Sequence, residues 1–133
     1  MSIAQLIRSF SAQPTLPLYL TPIQIYNNPN AYGTSANDRF GYSVSVDGNR
    51  IIVSAPYEDD AGGTSSGKAY IFDVTTGSLL HTLNNPNAYS TSADDRFGYS
   101  VAISGNRVVV GAFGEDDAGG TDSGKAYVYQ IPC

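Results

Sequence analysis

Two short acidic loops hold the side chains best suited to bind a cation. In each loop a glutamate and two aspartates precede a glycine pair and a threonine, and the second loop adds an aspartate: Glu58, Asp59, Asp60, Glu115, Asp116, Asp117 and Asp122. Oxygen ligands of this kind suit Ca²⁺, so these residues form the candidate metal site. The other interpretation is that they are solvated or accept hydrogen bonds within their own loops, as Asx turns do. We assign no cofactor and keep Ca²⁺ as the one candidate ion.

Side chains for nucleophilic or acid–base catalysis are scarce. The chain has one histidine, His81, and one cysteine, Cys133, so no Ser-His-Asp or Cys-His arrangement forms within a repeat. Asp59 and Asp60 are adjacent in a glycine-rich loop, which is a poor platform for paired carboxylates. We therefore expect that the protein is not an enzyme.

Tyrosine is unusually frequent, with ten residues in 133. It combines apolar area with a polar tip, and it suits recognition surfaces when it lies in loops. Tyr32, Tyr57 and Tyr89 fall in predicted loops and are candidates for ligand contact. The tyrosines in predicted strands are expected to serve packing instead.

One pair of adjacent acidic and basic residues precedes the first strand of each repeat, Asp38-Arg39 in the first and Asp95-Arg96 in the second. We expect a salt bridge or a turn-stabilising network at each pair. The alternative is that these four residues contact a ligand between neighbouring repeats.

An internal repeat determines how these residues are positioned. Residues 27–32 (NNPNAY) recur as residues 84–89, and the same offset of 57 carries residues 38–44 onto residues 95–101. The match continues without a gap to residue 131, so the chain is two tandem copies of one unit.

Each copy shows the periodicity of β-strands. Large and small side chains alternate over residues 40–46, and a turn at 47–49 leads to an apolar run at 50–55 that predicts a strand buried on both faces. Residues 68–72 and 78–83 are the third and fourth predicted strands. Four strands, with large side chains on one face of the first strand and small ones on the other, suit a β-propeller blade that stacks against a neighbour.

Particular residues carry a family resemblance. The FG dipeptides at 40–41 and 97–98, followed by SAP at 54–56 and GAF at 111–113, resemble the FG-GAP repeat of integrin-type β-propellers, in its bacterial and phage variety. The resemblance covers residues 27–131 and implies an all-β chain with two four-stranded antiparallel blades. Ser54 and Phe113 depart from the residues of the GAP motif.

The integrin-type calcium loop, a D-x-D-x-D-G pattern, is absent from its expected place. Residues 47–49 and 104–106 stand there and predict only hairpin turns. The NNPNAY segment between the copies resembles segments between repeats in structural proteins of tailed bacteriophages. This resemblance implies that the protein is a virion component.

Two blades do not close a ring, since propellers typically have 4–8 blades. Residues 21–26 precede the first NNPNAY as residues 78–83 precede the second, so they predict an outer strand that arrives before its own blade. We expect an extension at residues 1–19, a first blade at 20–77 with the leading strand 21–26, and a second blade at 78–133. A neighbouring chain then supplies the outer strand of that second blade.

This arrangement predicts a homo-oligomer closed by strand exchange. A trimer with six blades is preferred, and a dimer or tetramer would give four or eight. The expected function is a non-enzymatic binding and assembly module: a phage structural or host-adhesion protein of the tail, a fibre or the capsid decoration. Its partners would be other virion proteins or a host-surface glycan or protein. The alternatives are a small oligomeric carbohydrate-binding lectin and a fragment of a calcium-dependent adhesion propeller.

Charge and hydropathy exclude other classes. A net charge of −5 disfavours a nucleic-acid partner, because binding needs cations that neutralise phosphates. No apolar run approaches the roughly 20 residues of a membrane span. Residues 1–10 do not show a basic segment followed by an apolar core, so no signal peptide is expected and the protein should be soluble.

Overall fold

The computed structural model describes residues 20–30, 33–87 and 91–132, and within these residues the chain is all β with no helix. Seven strands form: β1 Val44–Asp47, β2 Arg50–Ala55, β3 Lys68–Asp73, β4 Leu79–Asn84, β5 Ser100–Ser104, β6 Arg107–Ala112 and β7 Lys125–Gln130. They make two antiparallel sheets in the orders β1-β2-β3-β4 and β5-β6-β7. The all-β prediction is confirmed, and we call the sheets blade one and blade two. Nothing in the described part of the chain forms a helix long and apolar enough to cross a bilayer.

Glycine turns join the first two strands of each blade. Asp47 pairs with Arg50 and Ser104 pairs with Arg107, so each connection has two residues. The first of these is Gly48 or Gly105, at φ 58° and 56°. A left-handed glycine at this position matches the twist of the hairpin, as the sequence predicted.

The first strand of blade one is shorter than the sequence predicted. Residues 40–43 form a turn, in which the Tyr42 amide donates to the Arg39 carbonyl at 3.0 Å. Arg39 and Gly41 have φ of 58° and 94°, which no extended strand adopts. The alternation of large and small residues therefore begins in a turn and becomes a strand only at Val44.

The hydrophobic core consists of two clusters, one on each face of blade one. Strand β2 is buried on both faces from Ile52 to Ala55, as expected for a central strand between two layers. One cluster fills the space between the blades: Ile52, Ala69 and Ile71 against Phe97, Val101, Ile103, Val108, Val110, Ala112 and Ile131. A smaller cluster lies on the opposite face of blade one: Val53, Ala55, Tyr70 and Phe72.

Candidate functional site: the blade junction and its exposed counterparts

The surface between the two blades, here called the blade junction, is held by hydrogen bonds as well as by apolar contact. The Val101 amide donates to Ser43 Oγ at 3.2 Å, and the Ile103 amide donates to Ser45 Oγ at 3.1 Å. The Gly105 amide donates to the Asp47 carboxylate. Strands β1 and β5 belong to different sheets, so these bonds fix the two blades relative to each other.

Small residues let the backbones approach at this junction. The Phe97 amide donates to the Ser66 carbonyl at 3.0 Å. A Cβ added at Gly67 would lie 2.0 Å from the Phe97 carbonyl oxygen, and one at Gly98 would lie 3.0 Å from Ser54 Cβ. The expected stacking of the large face of one blade on the small face of the next holds for Phe97 against blade one, whereas Tyr99, in the same alternation of large residues, is 37% exposed.

The outer faces of the two-blade unit are the unmatched halves of the same junction. Val44 is 57% exposed, whereas Val101, its equivalent in the repeat, is 9% exposed. On the other outer face Val128 is 67% exposed, whereas its equivalent Ile71 is 1% exposed. The unit therefore has a large-residue face at one end and a small-residue face at the other.

Residues 20–30 lie against blade one without forming a strand. The Tyr26 ring is 4.5 Å from the ring of Phe72, and its hydroxyl donates to the Asp73 carbonyl at 3.0 Å. In the repeat, Tyr26 corresponds to Leu83 at the end of β4, which packs against the junction cluster. Tyr26 thus meets blade one at the position where the preceding blade's outer strand would end.

The entry into each blade is tied by a buried aspartate. The Asn28 side-chain amide donates to Asp38 at 2.8 Å, and the Asn85 amide donates to Asp95 at 2.8 Å. A second asparagine, two residues later in each copy, donates to the same carboxylate. Burial raises the pKa of Asp95, and the asparagine bonds oppose that rise. Residues 20–30 therefore enter blade one as the linker after β4 enters blade two.

Blade two has an open edge. Strand β7 pairs only with β6 among the described residues, whereas β3, its equivalent, pairs with both β2 and β4. An unpaired edge presents a row of free backbone donors and acceptors that can accept another strand.

Neither adjacent Asp–Arg pair forms a salt bridge. The aspartates bind asparagines, while the Arg39 guanidinium lies over the Tyr57 ring, 4.4 Å from its centroid. The Arg96 guanidinium lies 5.3 Å from the same centroid and 5.5 Å from that of Phe113. Only the arginine of each pair has left-handed backbone, and the two consecutive side chains contact different partners. Of the two expected alternatives, the salt bridge is therefore absent, and the aspartates form a hydrogen-bond network instead.

The rings near these arginines form a continuous surface. Tyr42 contacts Tyr57 at 6.0 Å and Tyr99 at 4.9 Å, and Tyr99 contacts Phe113 at 4.3 Å between ring centroids. A hydrogen bond with the Tyr99 hydroxyl raises the pKa of Tyr42. We call these four rings with their two arginines the aromatic–arginine strip. Of the predicted loop tyrosines, Tyr57 belongs to it, and Tyr32 and Tyr89 lie outside the described residues.

The two loop glutamates are fully buried. The Tyr70 hydroxyl lies 2.8 and 2.6 Å from the two Glu58 carboxylate oxygens, and Lys68 Nζ is 3.3 Å away. Burial raises the pKa of Glu58. Glu115 has the same partners in blade two, Tyr127 and Lys125. Both glutamates thus anchor their loops to the third strand of their blade.

The loop aspartates accept hydrogen bonds within their loops or across the junction. Asp59 accepts from the Ser65 amide at 2.9 Å, and Asp116 accepts from the Asp122 amide at 2.8 Å. Asp60 and Asp117 accept from glycine amides of their own turns, and Asp60 also accepts from Ser66 and Ser92. Within the described ranges no three His, Cys, Asp or Glu residues are grouped as a metal site would need.

Of the single histidine and the single cysteine, the structure describes only the histidine. His81 lies half-buried in β4 opposite Ile71, and Cys133 lies outside the described residues.

Sequence reasoning missed Tyr42, Tyr99 and Phe113 as surface residues. The two tyrosines were assigned to strand packing because they continue the alternation of the first strand. The available signal was the glycine before each tyrosine, which allows the left-handed turn that exposes the ring.

Comparison with known proteins agrees with the architecture. The FG-GAP repeat family matches the chain twice, at residues 30–72 and 88–129, which together are more than half of its length. No curated protein matches the chain. FG-GAP repeats build β-propellers that serve in binding and structure. The chain therefore belongs to the FG-GAP repeat family, and its two sheets are β-propeller blades.

Proposed function

We propose that the protein is a non-enzymatic assembly module whose copies join head to tail and close a β-propeller ring. The observation that carries the proposal is the pair of outer faces, which are the two halves of the junction already formed inside the chain. A heterologous contact of this kind closes into a ring when the rotation between units is suitable. Three copies would supply six blades.

Strand exchange would complete each junction. Residues 21–26 of one copy would pair with β7 of the next, as β4 pairs with β3. The register follows from the repeat: His81 faces Ile71 in blade one, so Gln24 should face Val128 of the neighbouring copy. The Tyr26 contact with Phe72 would persist, because Leu83 holds the equivalent place beside blade two.

Engineered cysteines test this register. With Cys133→Ser as background, Gln24→Cys together with Val128→Cys should form disulfides between copies, since paired antiparallel residues have Cα atoms about 4.5–5.5 Å apart, within disulfide reach. Gln24→Cys with Val109→Cys is the matched control, because Val109 lies in β6. Cross-linking of the control alone, or of neither variant, would contradict strand exchange.

Truncation gives a second test, read by native mass spectrometry and sedimentation. Removal of residues 1–26 should leave β7 unpaired and convert a discrete oligomer into aggregate or unfolded chain. Removal of residues 1–19 is the control and should preserve the oligomer. Strand exchange is wrong if the longer truncation remains monodisperse with the original stoichiometry. If the intact protein stays a monomer at every concentration at which it is soluble, the ring is wrong as well.

A finer proposal concerns the biological setting. The resemblance of the NNPNAY segment supports the proposal that the protein is a structural or host-adhesion component of a tailed bacteriophage virion. Mass spectrometry of purified particles, with the infected-cell lysate as control, should find the chain enriched with the known virion proteins. Its recovery only in the lysate would overturn this setting without touching the assembly proposal.

A further inference from the structure

Two like charges share one aromatic ring at the blade junction. The guanidiniums of Arg39 and Arg96 lie 4.4 and 5.3 Å from the Tyr57 centroid. The described residues form two ion pairs, and both use lysines with the loop glutamates. Two cations therefore lie beside one ring, and neither forms an ion pair with a carboxylate, although the chain carries a net charge of −5. An external anion would offset their repulsion.

The two arginines offer hydrogen-bond donors that suit an oxyanion. Stacking on a ring leaves the N–H groups of a guanidinium available for a planar partner, and carboxylates accept two parallel hydrogen bonds from it. Arg96 Nε is buried and has no hydrogen-bond partner. Both residues also adopt left-handed backbone, at φ 58° and 54°. Glycine or asparagine would be more relaxed at that position, so the side chains require a reason of their own.

The neighbouring rings indicate what carries the anion. Tyr42, Tyr99 and Phe113 are exposed, and they extend the aromatic surface from Tyr57 to the second ring beside Arg96. A small inorganic anion has no use for this apolar area, whereas a saccharide ring packs its C–H face on aromatic rings and offers hydroxyls to tyrosine tips.

We propose that the aromatic–arginine strip binds an acidic saccharide. Its carboxylate would lie between Arg39 and Arg96, and its sugar rings would lie against Tyr42, Tyr99 and Phe113. The site spans the junction inside one chain, so it is independent of ring closure. This proposal goes beyond assembly, because it names the class of ligand that the protein would bind.

Calorimetric titration of the intact protein tests the site with two matched pairs of probes. Sialyllactose and an oligogalacturonate carry carboxylates, while lactose and a malto-oligosaccharide of equal length do not. We expect at least one acidic member to bind, more tightly than its neutral counterpart by about tenfold or more, the scale of a charged hydrogen bond. Inorganic phosphate should bind more weakly than that saccharide.

Variants then locate the binding. Arg39→Gln with Arg96→Gln should abolish the preference for the acidic probe, and Phe113→Ser should weaken both members of the pair. Arg107→Gln is the matched control, because this arginine contacts Gln130 away from the strip. Circular dichroism and thermal melts must show that each variant folds, and Arg39→Lys with Arg96→Lys replaces the first variant if it does not.

Three results would overturn the inference. The first is that neither acidic probe binds at millimolar concentration. The second is that the glutamine or lysine double variant binds the acidic probe as tightly as the parent does. The third is that phosphate or the neutral sugar binds equally well, which would remove the role of the rings or of the arginines.

Discussion

Blade one and blade two are built from copies of one sequence, yet they are buried differently. Phe97 is fully buried at the junction, whereas Phe40, its equivalent, lies half-buried on an outer face. Both phenylalanines meet the same two aromatic positions of their own third strand. The difference therefore comes from the presence of a neighbouring blade and not from the repeat itself.

The copies also differ where hydrogen bonds cross the junction. Ser45 accepts from the Ile103 amide, but its equivalent on the outer face is Ala102. Asp47 accepts from the Gly105 amide, and its equivalent is Ser104. A junction between copies would keep the apolar contact and lose at least one of these acceptors. It should therefore be weaker than the internal junction, and association should depend on protein concentration.

The largest expected effect comes from truncating the equivalent phenylalanines. Phe97→Ala should lower the free energy of unfolding by about 3–5 kcal/mol, because it empties a fully packed site. Phe40→Ala should cost roughly half as much in dilute protein, because solvent already reaches that side chain. Urea unfolding measures both, and equal losses under these conditions would contradict the comparison. At concentrations where copies assemble, the two losses should converge.

A smaller effect is expected from removing the serine hydroxyl of the internal junction, or from adding the equivalent hydroxyl that the proposed junction between copies lacks. Ser45→Ala leaves the buried Ile103 amide without its acceptor and should cost about 1–3 kcal/mol of stability. Ala102→Ser supplies the equivalent hydroxyl on the outer face, so the monomer should be unchanged while self-association strengthens. Sedimentation at several concentrations reads the second effect. Weaker association of the Ala102→Ser variant would argue against the proposed contact between copies.

The smallest effect concerns pH. Burial raises the pKa of Glu58 above its ordinary value of 4.5, so the folded state binds this proton more tightly than the unfolded chain. The contribution of Glu58 to stability is then full below pH 4.5 and is lost as pH rises through the raised pKa. Glu58→Gln should flatten the dependence of the unfolding free energy on pH in that window. A profile as steep as that of the parent would be the contrary result.

Other carboxyl groups set the background for that measurement. Burial also raises the pKa of Asp95, so part of the slope should survive in the Glu58→Gln variant. Backbone hydrogen bonds hold the pKa of Asp73 and of Asp117 below 3.8. The stability that these two aspartates contribute is lost as pH falls, in a separate and more acidic window.

Local patterns in the sequence predict most of the fold. Strand β2 and the two-residue hairpin turns follow from the apolar run at 50–55 and from Gly48 and Gly105, since neighbouring residues determine these features. The turn at residues 40–43 was missed, because it depends on left-handed Arg39.

The candidate site was harder to predict, because its contacts are distant in sequence. The Arg96 guanidinium lies over the Tyr57 ring of the other blade. Asp38 accepts hydrogen bonds from Asn28 and Asn30 and not from the adjacent Arg39. The composition of the acidic loops is the same whether their carboxylates bind a metal or their own loop and third strand. The choice between a metal site and a self-bonded loop depends on whether the third strand and the loop backbone lie close enough to donate hydrogen bonds to these carboxylates. The sequence does not show those positions.

The two-blade unit has one large-residue end and one small-residue end, and this polarity imposes a parity rule. A ring made only of such units contains an even number of blades, so rings of five or seven are inaccessible. The angle between blade one and blade two is set by the buried contacts inside the chain. If that angle suits an odd ring, copies added at the same angle cannot meet, and the series continues as an open helix. The geometry of a single internal junction thus decides between a closed particle of fixed size and a fibre.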